Sequence, residues 1–445
     1  EGHRNLEQKR MARNVLPKWV LSEMKAVATI EARLYPSVRA LTTIGYYEVP
    51  RPDFPLVNSF AEAYSQIGES HYSYIFVLPW LKAGGADLGA IRHIRSIHEL
   101  TRTRVLVITT EVDESPWRER IRDVADLLQL GKIVAGNGGS FETLVNVLTR
   151  LLIESKPKVI HNINSNACWM AYKEYGPALK HSSKLFASAF ADGKDTDGRP
   201  IGYIREYLED TYSCVQEIFS DNSFFPALWA ETYGVPISMF HILYFPVPDE
   251  LIEIGKRRLS ENAVRSISDL PKILWTGRIA KEKRPDILAA IAKRMPNVQF
   301  DVWGYAENRS YVNMLAGMNN VHLKGRYDNF ASLPHSEYCA YLYTSESDGM
   351  PNTLLEAAAV GLKIVGPVVG GSRDLLDDNT AYIVQHFEDI DSYCEEIGEA
   401  LMDISKEKET KAHKLIETRH SYSAWTRSIK NIEGYIDACE GEDNN

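Results

Sequence analysis

Short apolar runs recur along the chain, each bounded by glycine, proline or charge, with longer stretches of mixed character between them. The first series begins at YSYIFVLPWL (residues 72–81). It continues through TRVLVITTEV, GKIVAGNG, PKVIHNIN, KLFASAF and CVQEIFSDN, and ends near HILYFPVP (residues 241–248). Between these runs, LGAIRHIRSIHEL and FETLVNVLTRLLIES repeat their apolar residues at helical spacing. Such spacing gives a helix one buried face. Short apolar strands alternating with amphipathic helices predict a parallel sheet covered on both faces.

The pattern pauses at DELIEIGKRRLSENAVRSISDLP (residues 249–271), which carries charge and turn residues but no strand. It restarts at KILWTGR (residues 272–278) and runs through VQFDVWG, VHLKG, CAYLYTS, LKIVGP and AYIVQ. The reading is an α/β protein with two Rossmann-like domains in tandem, residues 72–248 and 272–412, joined by a linker at 249–271. A helical tail with an acidic end closes the chain at 413–445. Residues 1–71 read as a helical extension or linker, interrupted at Pro17.

Composition changes this picture little. A length of 445 residues suits two cores rather than one. The formal net charge of −10 excludes a broadly basic surface for nucleic acid. Five scattered cysteines, with no paired spacing, read as reduced thiols of a cytoplasmic protein rather than a disulfide frame or zinc site. No signal peptide and no membrane-spanning apolar run is visible. Residues 1–33 hold seven Lys/Arg against four Asp/Glu, and include Trp19. A basic amphipathic segment of this kind suits peripheral contact with the inner face of a membrane. The plainer alternative is an extension packed on the next domain, or a linker from a lost one. The chain opens on Glu1 rather than Met, which leaves room for a longer parent protein with further domains.

Ligands of open α/β sheets bind beyond the C-terminal ends of the strands, so candidate chemistry is sought there. After the first strand of the first domain, Gly84-Gly85 precedes a helix. These residues allow close backbone approach and open amide groups for an anion, although a plain tight turn explains them equally well. The GxGxxG dinucleotide fingerprint follows none of the strands. After the first strand of the second domain come Arg278 and Lys283, two cations suited to a diphosphate. Solvated surface charge is the alternative there.

Further on lies TSESDGMPNTLLEAAAVG (residues 344–361), with Asp348-Gly349 as a turn and Pro351 near a helix start. Asp348 or Asn352 could cap that helix. The amides of Gly349, Met350, Asn352 and Thr353 would face an anion. Glu356, flanked by leucine and alanine, is expected to be partly buried, where it needs a partner such as a ribose diol. His161 stands after PKVIHNIN's apolar run as a general-base candidate or a structural histidine. The loop DGKDTDGRP (residues 192–200) departs from EF-hand spacing and reads as solvated rather than metal-binding.

The second half resembles the donor domain of retaining GT-B glycosyltransferases of family 4. The resemblance rests on TGRIAKEKRPDIL, VWGYAE, VHLKGRY, SESDGMPNTLLEAAAVGLKIVG and VGGSRDLL, in that order. The first half matches more loosely through LPWLKAGGAD, the strand holding His161, and IFSDNSFFPALWAETYGVP. The resemblance implies two Rossmann-like domains facing a central cleft. It also implies sugar transfer from a nucleotide-sugar donor to a glycan or lipid-linked acceptor, with retention and without a metal, as in bacterial surface polysaccharide synthesis. The nucleotide-sugar is a substrate, and no cofactor is implied.

By the resemblance, Arg278 and Lys283 hold the diphosphate and Glu356 the ribose. Asp348 adjoins the donor sugar, and Tyr327 contacts the base. Gly349, Met350, Pro351, Asn352 and Thr353 line sugar and phosphate, and Gly84 and Gly85 form the first-domain glycine loop. Two positions depart from the family pattern. Asp348 replaces a glutamate, and His161-Asn162-Ile163 stands where an H-x-H stretch carries the catalytic histidine. Other expectations compatible with this architecture are a nucleotide-sugar epimerase, a phosphorylase, or a non-catalytic scaffold or glycan-binding module of a larger polymerase.

Overall fold

The structure, a computed structural model, describes residues 18–34, 54–68, 70–260, 270–306 and 309–436. The chain divides into an N-terminal unit, residues 1–57, and a main body, residues 58–445. The N-terminal unit holds a helix, Lys18–Ile30. Most of the basic stretch before it, the side chain of Trp19, and the acidic end at 437–445 lie outside the described residues.

The main body contains two parallel sheets. In the first lobe the strands are β1 (Tyr74–Leu78), β2 (Val105–Thr109), β3 (Ala125–Gln129), β4 (Val159–Ile163), β5 (Lys184–Ser188), β8 (Val215–Ser220) and β9 (Phe240–Ile242). Their order is β3-β2-β1-β4-β5-β8-β9. A small antiparallel hairpin, β6 (Gly193–Lys194) with β7 (Pro200–Ile201), projects between β5 and β8. The second lobe has β10 (Lys272–Thr276), β11 (Gln299–Trp303), β12 (Val321–Gly325), β13 (Tyr338–Leu342), β14 (Lys363–Pro367) and β15 (Tyr382–Val384), in the order β12-β11-β10-β13-β14-β15. Each lobe reverses strand order beside its first strand, and the crevice there opens at the C-terminal strand ends.

One expected strand is a helix. GKIVAGNG (residues 131–138) lies on the helix Leu130–Gly136 and the turn that follows it, and β3 lies just before. Leu130, Gly131, Ile133 and Val134 are buried, which is helical rather than alternating spacing. Three apolar residues between glycines cannot distinguish a buried strand from a buried helical turn.

The linker is also more ordered than its polarity predicts. Asp249–Ser260 is a helix whose Leu251 and Ile252 join the second-lobe core. Gly255 sits so close to the Ala359 carbonyl that an added Cβ would lie 2.0 Å from it. The tail is two helices, Glu407–Arg419 and Tyr422–Lys430. The second returns to the first lobe, where Trp425, Ile429, Ile432 and Tyr435 are buried with β1, β4 and β5 side chains. The lobes are therefore tied at both the linker and the tail.

Candidate active site

The strongest polar cluster stands at the mouth of β10 and β13. After β10 the chain makes a one-turn helix, Lys281–Lys283, and Arg284 adopts φ +50° before Pro285 starts the next helix. That bend aims Lys283 across the strand ends. Its Nζ donates to Asp348 Oδ2 at 2.6 Å, and Tyr343 Oη donates to the same oxygen at 3.0 Å. The Lys283 main chain is fixed in turn, because Thr344 Oγ1 donates to its carbonyl at 2.6 Å. An ammonium has three donors, so Lys283 can hold Asp348 and still meet a phosphate.

Arg278 is more exposed and pairs with Glu282 at 2.5 Å. Glu346 turns away from this cluster, toward Arg284 at 3.6 Å and Lys194 of the first-lobe hairpin at 3.9 Å.

Asp348 leads into the helix Asn352–Ala359, whose N-cap is Pro351 with no side-chain cap. Neither capping expectation is met: Asp348 serves Lys283 and Tyr343, and Asn352 Oδ1 accepts from Arg92 Nη1 at 3.0 Å. Thr353 Oγ1 accepts from Tyr341 Oη at 3.0 Å. The Met350 amide points at Asp221 Oδ1 of the first lobe, 3.4 Å away. Gly349 packs closely on the first lobe, since a Cβ would lie 3.0 Å from the Phe190 carbonyl. Gly85 likewise approaches Asn352, with 3.2 Å from a built Cβ to Nδ2. Gly84, Gly85 and the turn 349–353 are thus brought together across the crevice.

Glu356 lies one turn into the helix and is half-buried. Burial pushes its carboxyl up to about 7, and the Arg92 guanidinium opposes that rise. Its side chain has no hydrogen bond from another described residue. Tyr327 lies beside Glu356 and Thr276, and burial, then the Glu356 charge, pushes its phenol up.

His161 stands elsewhere, and its expected place at a strand mouth is corrected. It is the third residue of β4, with 0% exposure. Nδ1 meets Tyr435 Oη at 2.7 Å and Nε2 meets Ser188 Oγ at 2.8 Å. Rings of Phe76, His93 and Phe219 surround it. Burial holds it well below the usual histidine range. Both ring nitrogens are occupied inside the first-lobe core, so this imidazole does not meet the crevice.

The sequence reading missed Arg92, Asp221, Tyr341 and Tyr343. Arg92 was detectable as a guanidinium inside the apolar run AIRHI, which places a cation on a buried helix. Asp221 follows β8 directly and is buried, which pushes its carboxyl up to about 7. Tyr341 and Tyr343 looked like core aromatics, and nothing in CAYLYTS separates a packed phenol from a hydrogen-bonding one.

Two other features do not build a site. Asp195 of the loop at 192–200 accepts from the amides of Asp197 and Arg199 at 2.9 and 2.8 Å, which makes it the turn of the β6–β7 hairpin. Among the described residues no group of three or more His, Cys, Asp or Glu is arranged to hold a metal ion. A cavity at the opposite end of the second sheet is bordered by Arg258, Lys363 and Lys406. Arg258 donates there to the Gly361, His335 and Tyr338 carbonyls, and Lys363 to those of Ala400 and Asp403. These cations staple main chain rather than await an anion. No helix among the described residues is long and apolar enough to cross a membrane.

Residues 270–403 match the family described as Glycosyl transferases group 1. The O-antigen biosynthesis glycosyltransferase WbnH of Escherichia coli is 29% identical over 119 residues, 26% of this chain and 34% of that protein. The UDP-N-acetylglucosamine--peptide N-acetylglucosaminyltransferase GtfA subunit of Streptococcus gordonii is 27% identical over 182 residues, 36% of this chain and 35% of that protein. The chain thus matches about a third of the length of these curated relatives. Among solved structures, Anabaena Alr3699/HepE in complex with UDP and glucose superposes with a TM-score of 0.62 at 14% identity, over 81% of this chain and 98% of that one. A glycosyltransferase from Rickettsia africae ESF-5 superposes with a TM-score of 0.62 at 11% identity, over 84% and 100%. The chain therefore carries the GT-B fold, two Rossmann-like lobes facing a crevice, with the group 1 glycosyltransferase match on residues 270–403 of the second lobe.

Proposed function

We propose that this protein is a retaining glycosyltransferase that moves a sugar from a nucleotide-sugar to a glycan or lipid-linked acceptor. The observation that carries the reading is the pairing of Lys283 Nζ with Asp348 Oδ2 at 2.6 Å, at the entrance to the helix that bears Glu356. A cation, a helix start and two carboxylates eight residues apart match the parts of one donor. Lys283 and Arg278 meet the diphosphate, Asp348 the sugar, and Glu356 the ribose hydroxyls. Glu356 suits a diol because its half-buried carboxylate has acceptor capacity that no described side chain fills.

In this reading the acceptor hydroxyl attacks the anomeric carbon from the face the diphosphate leaves. The carbon–oxygen bond to the diphosphate breaks as the new glycosidic bond forms. The departing phosphate oxygen takes the hydroxyl proton. Lys283 and Arg278 stabilise the charge that grows on that oxygen, which lowers the barrier because the interaction strengthens along the reaction. The E. coli relative's role in O-antigen biosynthesis favours a surface-polysaccharide acceptor. Lys283 and Arg278, placed to meet the charge that develops, support a reaction that needs no metal ion.

The test is product analysis with labelled nucleotide-sugars. Transfer to an added glycan or lipid-linked acceptor with a retained anomeric centre is expected, and it should vanish in Lys283→Ala. An epimerised donor, transfer to inorganic phosphate, or undiminished turnover in Lys283→Ala would defeat the reading.

A further inference from the structure

Arg92 is the one buried cation that reaches from the first lobe to the donor-side helix among the hydrogen bonds of the described residues. It belongs to the helix Gly85–Thr101, is 7% exposed, and donates to Asn352 Oδ1 at 3.0 Å. Its guanidinium lies over the Phe245 ring, 5.3 Å from the centroid. Phe245 in turn packs on Gly89, where a Cβ would come within 2.4 Å of the ring. Arg92 is therefore held in place from its own lobe. Asn352 and Glu356 are four residues apart on one helix, so they lie on the same face one turn apart. The guanidinium that binds Asn352 thus stands beside the Glu356 carboxyl, and each is felt by the other electrostatically.

Resting on the donor-binding reading above, we propose that Arg92 is a positioning residue of the first lobe that sets its charge beside Glu356 through Asn352 and so couples lobe contact to ribose binding. The other groups around Glu356 cannot replace it. Tyr327 and Tyr341 face it from the segment after β12 and from β13, and both phenols are neutral donors at physiological pH. His413, from Glu407–Arg419, meets the far end of the helix at the Ala359 carbonyl. Arg92 itself also senses Asp221 and Tyr422. An ionised carboxylate accepts from both ribose hydroxyls, whereas a protonated one loses part of that capacity. Burial alone drives Glu356 toward its neutral form, and the first-lobe cation counters this only when the lobes meet.

The experiment is calorimetric titration of UDP, GDP, ADP and dTDP onto the full chain between pH 6 and pH 9. It compares wild type with Arg92→Met, Arg92→Lys and Asn352→Ala. Ratios between proteins at one pH cancel the nucleotide's own phosphate titration. The expected result is that Arg92→Met weakens the bound nucleotide about tenfold at pH 6 and less than about twofold at pH 9. Arg92→Lys should restore most of the loss. Asn352→Ala, which removes the hydrogen bond but not the charge, should weaken binding by the same factor at pH 6 and pH 9. A loss in Arg92→Met that is equal at both pH values, or no loss, would overturn the inference while leaving donor binding intact. Failure of wild type to bind any of the four nucleotides would overturn the donor-binding reading and the inference together.

Discussion

The two lobes are built alike and place their polar residues in opposite ways. In the first, the polar residues of the central strands point inward. His161 and His93 lie in a ring cluster closed by Tyr435 and Trp425, and burial holds His93 down to about 3. In the second, Asp301 is likewise buried in β11, but Lys283, Asp348 and Tyr343 gather just beyond the strand ends. A sealed imidazole between two hydrogen-bonding partners fixes packing, because buried polar groups must be satisfied. A half-exposed cation beside a carboxylate at a strand mouth is available to a ligand. The comparison assigns chemistry to the second lobe, and to the first the task of bringing Gly85, Arg92 and Asp221 against it.

The largest expected effect would break that division outright. Lys283→Ala should lower transfer by at least about 10²–10³-fold, the usual cost of one preorganised charge-stabilising donor. Its melting temperature should stay close to wild type, because the pair is partly exposed and such pairs add little stability. His161→Gln, by contrast, should show its main defect in stability, with kcat retained in the folded fraction. A collapse of kcat in a well-folded His161 variant would put chemistry back into the first lobe.

Next in size is the packing of the tail. Trp425→Ala removes a fully buried indole that donates to Ser96 Oγ at 2.7 Å, and should cost about 3–5 kcal/mol in a denaturant titration. Loss near zero would mean that the returning helix does not complete the first-lobe core.

The pH dependence separates the lobes by sign. His93 is pushed down to about 3, so its folded form takes up a proton later than its unfolded form. The stability from keeping it neutral is full above about pH 6.5 and is lost as pH falls toward 3. Glu356 is pushed up to about 7, so the folded form holds a proton that the unfolded chain has released. Its penalty is absent below about pH 4.5 and grows as pH rises through 7. Glu356→Gln should therefore raise the melting temperature at pH 8 and leave it nearly unchanged at pH 4.5, while weakening nucleotide binding. Equal effects at both pH values would contradict the account of a strained, ligand-directed carboxyl. The smallest effect is expected at Arg278, more exposed and paired with Glu282, where alanine should cost roughly tenfold in transfer if it adds one charge-assisted contact to phosphate.

Much of the fold was legible because strands and helices in such sheets differ in length and period. Eleven of the twelve expected runs hold a strand, and the exception, GKIVAGNG, is a run too short for period to decide. The polar linker concealed a helix because only Leu251, Ile252 and Gly255 of Asp249–Ser260 are buried. The second-lobe candidates were legible because Arg278, Lys283, Asp348 and Glu356 sit in one local frame, strand end to helix start. What crosses between lobes was not. Arg92 meets Asn352 across 260 positions of sequence, and Tyr435 meets His161 across 274. The first depends on how the two lobes dock and the second on where the tail returns, and no local spacing encodes either.

The central claim, that one donor lies between Lys283 and Glu356, is tested most directly by thermal shift with a panel of nucleotide-sugars on wild type and Lys283→Ala. At least one nucleotide-sugar should raise the wild-type melting temperature by mass action, and the same compound at the same concentration should leave Lys283→Ala nearly unmoved. An equal shift in both proteins would place the donor elsewhere and contradict the account.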